Sequence, residues 1–328
     1  IGRYDYEGIR VVAVRHRHLP LDIDYFITDP GLARFLEQLL DDEDIDLVHV
    51  CHPMRVGSII PAAHRRKIPV ILTLTDFWLL CPRFILVTLK GDLCYGPNGG
   101  KKCIRECFPG SWRGYLKQRE DETEQLMQCV SRIIAPTRFL KTIFQANGYK
   151  KISIIPFGLD YSGARFIEKT YTAADTITLG YLSTPVYHKG GHILIQAFLS
   201  SGMPNVQVAM YGDNHADPTY YESLRSLAEG NPGIHFRGRY SHDHLTKMFQ
   251  DIDMVVVPSL WWENAPLVLL MSLAHGVPVI VSALGGLTEL VTDGVNGFCF
   301  QAGDIQELAV TIRKIGSDPT LLNDMRRN

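Results

Sequence analysis

The sequence predicts an α/β protein made of two domains, each built on a parallel sheet. Short runs of β-branched residues alternate with helical patterns almost from end to end, which is typical of repeated strand–helix–strand units. The 328 residues also exceed the size at which a single hydrophobic core usually stops growing. We therefore expect two Rossmann-like domains of roughly 150 residues each.

The first half contains the elements of one such domain. Asp29 and Pro30 predict the start of a helix, with the carboxylate as N-cap and the proline in the first turn. Strands are predicted at residues 8–14, 46–51, 68–73, 133–135 and 152–156, with a short helix at 62–67. A Rossmann-like domain normally begins with a strand and a glycine-rich turn. Because this chain begins with a polar segment instead, we expect the first residues of the domain to be missing.

An insertion rich in glycine, proline and cysteine interrupts the pattern at about residues 79–112. It contains four cysteines, Cys81, Cys94, Cys103 and Cys107. Four thiolates in an irregular segment could hold a structural zinc ion and so replace a hydrophobic core. The spacing lacks the close Cys-x-x-Cys pairs of many zinc sites, and buried free thiols are the alternative.

The second half repeats the alternation of strands and helices. Glycines and a scarcity of apolar residues mark a connection at residues 157–176, which divides the chain into domains of residues 1–158 and 159–328. Strands of the second domain are predicted at residues 178–182, 206–211, 234–236, 254–257 and 277–281.

The most informative segment follows the strand predicted at residues 254–257. A turn leads from it into a helix predicted at residues 266–275, with Pro266 in the first helical position. Such a turn leaves backbone N–H groups facing outward at the carboxyl edge of the sheet, where a phosphate or diphosphate is favoured. The helix is apolar all round, so we predict that it is buried and that only its start is open to a ligand.

A second turn from strand to helix carries the glycine pair Gly285 and Gly286. Because both turns follow parallel strands, they meet at the same edge of the sheet, and we expect a cleft between them. The alternative is that the two glycines only allow a tight turn.

These features together resemble the C-terminal signature of the family-four (group 1) retaining glycosyltransferases, in their cysteine-containing bacterial subgroup. The residues that carry the resemblance are Pro258-Ser259, Glu263, Pro266-Leu267-Val268-Leu269, residues 274–280, Gly285-Gly286, Glu289 and residues 293–297. Upstream matches at residues 155–160, His188-Lys189-Gly190 and Tyr211-Gly212-Asp213 extend it over nearly the whole chain. The resemblance implies the GT-B architecture of two facing Rossmann-like domains with parallel sheets.

The resemblance also implies a nucleoside diphosphate sugar as donor and a reaction that needs no metal ion. It places Lys189 beside the donor phosphates and Glu263 beside the transferred sugar and its anomeric centre. Without the motif, Lys189 would be interpreted as a solvated loop lysine. The other donor-binding residues are then Asn264, Ala265, Pro266, Leu267, Gly285, Gly286 and Glu289. His52, Thr75 and Asp76 are expected on the acceptor side, with Asp76 as a further catalytic candidate.

Three features depart from the family's pattern. Met271 stands where members usually carry a second glutamate, which holds the ribose hydroxyls of the nucleotide. Losing two charge-assisted hydrogen bonds would weaken donor affinity about a hundredfold, unless Glu289 or Ser272 replaces the carboxylate. Thr75 stands where a histidine usually precedes the aspartate, and the arginine often seen before the loop lysine is absent.

The expected function is transfer of a hexose, with retention of anomeric configuration, to an acceptor hydroxyl in cell-surface polysaccharide or lipopolysaccharide biosynthesis. Met271 and Thr75 favour the alternative, a non-catalytic protein of the same fold that binds a sugar nucleotide or a glycan. A sugar-nucleotide epimerase or a phosphorylase with GT-B architecture fits the signature less well.

Charge and composition limit the partners and the location. A net charge of −2 and a pI near 6.7 argue against a nucleic-acid partner, and no segment approaches a membrane-spanning apolar run. Seven cysteines without a signal peptide favour a reducing, cytoplasmic location. Basic groups at residues 65–67 and 112–117 are either a solvated face or a peripheral contact with the inner face of the membrane, as expected for a glycan or lipid-linked acceptor.

Overall fold

The computed structural model describes residues 2–14, 27–159, 165–241 and 245–328. The chain separates into two compact units. The first comprises Ile1–Thr73 and Pro97–Ile133, and the second comprises Leu74–Gly96 and Ile134–Asn328. The segment Leu74–Gly96, which includes the first part of the predicted insertion, therefore belongs to the same unit as the C-terminal half.

The first unit begins with an antiparallel hairpin, so the strand predicted at residues 8–14 is one arm of that hairpin. The side chain of Asp29 accepts a hydrogen bond from the amide of Gly31, which confirms the predicted helix start. The elements of this unit are β1 (Gly2–Tyr6), β2 (Ile9–Ala13), α1 (Pro30–Asp42), β3 (Val48–Val50), α2 (Ile59–Arg65), β4 (Val70–Thr73), α3 (Lys101–Glu106) and α4 (Arg113–Gln128).

The next strand, β5 (Arg132–Ala135), leads into the second unit. That unit contains α5 (Arg138–Ala146), β6 (Ile152–Ile154), β7 (Ile177–Leu182), α6 (Gly191–Ser201), β8 (Val206–Tyr211), α7 (Pro218–Leu227), β9 (Ile234–Gly238), α8 (Leu245–Asp251), β10 (Met254–Val257), α9 (Leu267–Ala274), β11 (Val279–Ser282), α10 (Leu287–Leu290), β12 (Gly297–Phe300), α11 (Ile305–Ser317) and α12 (Leu321–Met325).

The described strands form two sheets besides the hairpin. One has the order β3-β4-β5-β6, with β3 and β4 parallel. The other has the order β9-β8-β7-β10-β11-β12, and every neighbouring pair in it is parallel. The predicted α/β class with parallel sheets is therefore confirmed. In the larger sheet the strand order reverses between β7 and β10, and such a switch point is where open α/β sheets bind ligands.

Both faces of the larger sheet are covered by apolar residues. Met254 and Val256 pack into one cluster with residues of α6 and α11, whereas Val255 and Val257 pack into another with residues of α8 and α9. Successive strand residues face opposite sides, so β10 is buried on both sides. A strand of this kind holds its carboxyl end in a fixed place.

The helix predicted at residues 266–275 differs from the expectation in two respects. Pro266 lies at the N-cap position with extended backbone, at φ −65° and ψ 125°, and the helix begins at Leu267. Only Leu269 and Ser272 of this helix are buried, and Leu267 is 49% exposed. The prediction of a fully buried helix is wrong. An apolar composition does not ensure that neighbouring elements cover every side of the helix.

The four cysteines of the insertion differ in burial. The described part of the chain holds no group of three or more His, Cys, Asp or Glu placed to bind a metal ion. Cys81 and Cys103 are buried, whereas Cys94 and Cys107 are partly exposed. This arrangement gives the zinc interpretation no support, and the alternative of buried thiols describes Cys81 and Cys103.

No helix among the described residues is both long enough and apolar enough to pass through a bilayer.

Candidate functional site

Two of the predicted site residues follow the two strands at the switch point. Lys189 lies in a short 3₁₀ turn, Tyr187–Lys189, after β7, and Glu263 lies in the turn after β10. Because β7 and β10 are parallel neighbours, their carboxyl ends lie together. The Lys189 ammonium accordingly donates a hydrogen bond of 2.7 Å to Oε1 of Glu263.

The carboxylate of Glu263 is buried and held by several donors. The residue is 4% exposed, and its Oε1 also accepts hydrogen bonds of 2.7 Å from Ser259 Oγ and from Trp261 Nε1. A buried carboxylate is costly unless its charge is paired and hydrogen-bonded. Lys189, Ser259 and Trp261 satisfy that requirement, so Glu263 is fixed in place as an ionisable group at the carboxyl edge of the sheet.

The loop that carries Lys189 is packed directly onto the loop that carries Glu263. Gly190 has a positive φ of 71°, and a Cβ atom added there would lie 1.8 Å from the carbonyl oxygen of Pro258. The amide of Leu260 donates to the carbonyl of His188 at 2.8 Å. Only glycine permits this close approach, which explains the glycine that follows Lys189.

The glycine pair is also packed against the Glu263 turn. Gly285 has a φ of 63°, and a Cβ atom there would lie 2.4 Å from the carbonyl oxygen of Glu263. A Cβ atom on Gly286 would lie 1.8 Å from the carbonyl oxygen of Asn264. The two turns thus lie side by side, as predicted. Glycine is required at both positions because two backbones are in contact there. This contact restricts the choice of residue more than a tight turn alone would.

Asn264 joins the turn after β10 to two other segments of the second unit. Its Nδ2 donates to the carbonyl of Thr75 at 3.2 Å, and its Oδ1 accepts from Thr137 Oγ1 at 2.9 Å. Asn264 is 8% exposed, so these two partners satisfy an amide group that is largely shielded from solvent. The segment expected on the acceptor side is therefore bonded through Thr75 to the residue that follows Glu263.

The other two residues expected on the acceptor side are placed separately. Asp76 accepts a hydrogen bond of 2.7 Å from the amide of Trp78 through Oδ1, which shapes the turn after Thr75. His52 follows β3 in the first unit, and its Nδ1 accepts from the amide of Met54 at 3.2 Å.

Glu289 is hydrogen-bonded to the start of α5. Its carboxylate accepts hydrogen bonds from the amides of Arg138 at 2.8 Å and Phe139 at 2.5 Å. These amides belong to the first turn of α5, where a negative charge compensates the helix dipole and caps free N–H groups. Thr137 is the N-cap of the same helix and accepts from Leu140. The carboxylate of Glu289 therefore stabilises the start of α5.

Glu289 and Ser272, the two residues expected to replace the missing second glutamate, are both hydrogen-bonded elsewhere. Met271 packs against the apolar cluster beneath α9. Ser272 is fully buried, and its hydroxyl donates to the carbonyl of Val268 at 2.7 Å within the helix. Since Glu289 already accepts from two amides of α5, each of the three side chains is engaged elsewhere.

His188 is kept neutral beside the Lys189–Glu263 pair. Burial, together with the positive charges of Lys189 and Arg83, lowers the pKa of His188 to about 4, against the opposing effect of Glu263. The imidazole therefore adds no positive charge to the site at pH 7. Its ring centroid lies 5.0 Å from that of Trp261.

Three contributors to the site, Ser259, Trp261 and Thr137, were not among the predicted site residues. Ser259 and Trp261 lie within four residues of Glu263, so a local search for donors could have suggested them. Thr137 follows a strand and precedes a helix, which indicates an N-cap. Its bond to Asn264 joins residues 127 positions apart, and no local pattern predicts such a contact.

Two family models match this chain. Residues 165–328 match the family model for glycosyl transferases group 1, and residues 2–162 match the model for glycosyltransferase family 4. The chain is 27% identical over 190 residues to the lipopolysaccharide 1,2-N-acetylglucosaminetransferase of Salmonella typhimurium, covering 51% of this chain and 48% of that protein. It is 28% identical over 219 residues to the capsular polysaccharide biosynthesis glycosyltransferase CapM of Staphylococcus aureus, covering 62% and 56%.

The chain thus spans about half the length of these curated relatives. Among solved structures, HepE of Anabaena in complex with UDP superposes with a TM-score of 0.69 at 20% identity, covering 92% of this chain and 79% of that one. This likeness confirms the predicted GT-B fold class. Since the two family models together account for nearly the whole chain, the protein belongs to the group 1 glycosyltransferases.

Proposed function

We propose that this protein is a retaining glycosyltransferase that moves a hexose from a nucleoside diphosphate sugar to an acceptor hydroxyl. The observation that carries the proposal is the 2.7 Å contact between Lys189 and Glu263 at the switch point of a parallel sheet. It brings together the two side chains that the family resemblance assigns to the donor. HepE, a relative in fold, was solved in complex with UDP, which supports a nucleotide donor.

In this proposal Lys189 and backbone amides stabilise the leaving diphosphate. Negative charge develops on that group as its bond to the sugar breaks, and preorganised donors at that position lower the barrier. The amides of Asn264, Ala265 and Leu267 supply further donors at the start of α9. A diphosphate would attract the Lys189 ammonium, while Ser259 and Trp261 continue to hold Glu263 beside the sugar. No step requires a metal ion.

The acceptor and the cellular role follow from the relatives. Lipopolysaccharide and capsular polysaccharide enzymes among them support a glycan or lipid-linked acceptor and a role in cell-surface polysaccharide biosynthesis. Such acceptors would place the protein in the cytoplasm, at the inner face of the membrane. The family-model matches at residues 2–162 and 165–328 support an acceptor domain of residues 1–158 and a donor domain of residues 159–328.

A second candidate is a non-catalytic protein that binds a sugar nucleotide or a glycan. The observation in its favour is that Met271 packs against the apolar cluster while Ser272 and Glu289 are bonded elsewhere. The ribose would then lack its usual carboxylate partner, and the donor would be held mainly through the diphosphate and the sugar.

Donor hydrolysis separates the two candidates without knowledge of the acceptor. Purified protein is incubated with UDP-glucose, UDP-galactose, UDP-N-acetylglucosamine or GDP-mannose, and the released sugar is followed by proton NMR. A retaining enzyme first releases the anomer present in the donor, and Glu263→Gln slows that release. Release of the opposite anomer would contradict retention. Binding of a nucleotide without any turnover, either with water or with lipid-linked glycans, would favour the second candidate.

A further inference from the structure

We propose that Trp261 is a positioning residue that holds both charged groups of the donor site, through two different parts of one indole ring. The kinetic consequences of this inference rest on the proposed function. The two contacts behind it involve only Trp261, Lys189 and Glu263. No motif match assigned a role to this tryptophan.

The ring edge and the ring face of Trp261 have separate partners. At the edge, Nε1 donates to Oε1 of Glu263 at 2.7 Å. Over the face, the ammonium of Lys189 lies 4.6 Å from the ring centroid, within the range of a cation–π interaction. A single side chain therefore contacts both members of the ion pair, and the two contacts fix the indole in one orientation.

The chemistry of these contacts is specific to tryptophan. Indole offers one N–H donor at its edge and the most strongly cation-binding face among aromatic side chains. Phenylalanine keeps a face but has no donor, and leucine has neither. The two contacts can therefore be removed one at a time by substitution.

The contacts also suggest how the site changes when a diphosphate binds. Lys189 is shared between the carboxylate and the ring face, and its side chain is 23% exposed, so it can turn toward an anion. Glu263 is more deeply placed, with its side chain 5% exposed. When the ammonium turns from the carboxylate to the diphosphate, it remains over the ring face, and the donors that stay on Oε1 are Ser259 and Trp261. Trp261 then keeps the carboxylate oriented at the moment when orientation matters for the reaction.

The neighbouring Trp262 is a matched control. Its Nε1 donates to the carbonyl of Cys94 at 2.9 Å, and its ring packs against Tyr95 and Phe139 at centroid distances of 5.2 and 5.0 Å. It lies in the same turn and is 8% exposed, but none of these three side-chain contacts is made with Lys189 or Glu263. A general effect of replacing a tryptophan in this turn should appear in both variants.

Kinetics of donor hydrolysis test the positioning role. Trp261→Phe should lower kcat about ten- to a hundredfold, the effect of one lost charge-assisted hydrogen bond, while KM and the Kd for UDP change by less than about threefold. Trp261→Leu should also weaken UDP binding, because Lys189 loses the ring face. Trp262→Phe should lower the Tm without a selective loss of kcat at unchanged KM. Parallel losses of kcat, UDP affinity and Tm in Trp261→Phe would overturn the proposal.

A spectroscopic test does not depend on turnover. The chain has four tryptophans, so the indole N–H signals of labelled protein can be assigned with Trp261→Phe and Trp262→Phe. The Trp261 signal should shift in Glu263→Gln and in Lys189→Ala, whereas the Trp262 signal should stay in place. An unmoved Trp261 signal in Glu263→Gln would overturn the proposal. Failure of the unmodified protein to bind or hydrolyse any nucleotide sugar would instead contradict the proposed function.

Discussion

The amide of Gly286 donates a 2.8 Å hydrogen bond to the carbonyl of Glu263, so two turns from neighbouring strands are joined backbone to backbone. A side chain at Gly286 could not fit, since its Cβ would lie 1.8 Å from the carbonyl oxygen of Asn264. The position of Glu263 therefore depends on residues far from it in sequence.

Gly286→Ala should destabilise the protein by about 3 kcal/mol, because a methyl group there forces two backbones apart. Gly114→Ala is the control. Gly114 lies in α4 with nothing within 4 Å of an added Cβ, so alanine should leave stability unchanged or raise it by up to about 1 kcal/mol. Urea denaturation measures both. Equal midpoints for the two variants would show that the close approach is not required.

Asn264→Ala should lower the free energy of unfolding by about 1–3 kcal/mol. The change removes the acceptor of the buried Thr137 hydroxyl and the side-chain donor to the carbonyl of Thr75, which is an exposed residue. Thr142→Ala removes an exposed hydroxyl bond to Arg138 within α5 and should cost less than about 0.5 kcal/mol. If the two losses were similar, Asn264 would not hold these segments together.

Glu289→Gln distinguishes a helix-capping role from a donor-binding role. As a cap, the charged carboxylate on the amides of Arg138 and Phe139 should contribute about 0.5–2 kcal/mol to stability in the absence of ligand. UDP affinity should then be nearly unchanged. Chemical denaturation and calorimetric titration give the two quantities. An unchanged stability with a strongly weakened UDP affinity would assign Glu289 to the donor.

His188 should make the protein less stable as the pH falls from about 6.5 to about 4. Its pKa in the folded protein is about 4, below the value near 6.5 of an unfolded chain. In that window the unfolded state binds a proton that the folded state does not, so the contribution of His188 to stability decreases with falling pH. His188→Gln should flatten the dependence. Parallel curves for the two proteins would contradict a lowered pKa.

Local sequence signals predicted the elements of the fold well. The pair Asp29-Pro30 gave the start of α1, and alternating apolar runs gave the parallel strands of the larger sheet. Contacts between distant segments were not predictable in the same way. The bond from Asn264 to Thr75 spans 189 positions and depends on the placement of whole elements. The exposure of Leu267 was missed because composition does not show which elements cover a helix.

The candidate site was predicted to a similar extent. Lys189 and Glu263 were expected to lie together, and the strand order around the switch point explains why they do. Spacing along the chain does not determine which of Cys81, Cys94, Cys103 and Cys107 meet, and the described residues hold no group of three or more His, Cys, Asp or Glu placed to bind a metal ion. Glu289 was expected at the donor, yet its carboxylate is directed to the start of α5.

The central claim is that Lys189 and Glu263 form the donor site of a glycosyltransferase, and nucleotide-dependent thermal stability tests it most directly. Purified protein is heated with UDP, GDP, ADP and their sugars, alongside Lys189→Ala and the remote control Lys314→Ala. One nucleotide at a hundred times its Kd should add about 2.7 kcal/mol of stability. Lys189→Ala should reduce this gain and Lys314→Ala should not. Stabilisation by none of the nucleotides, or an equal gain in Lys189→Ala, would contradict the claim.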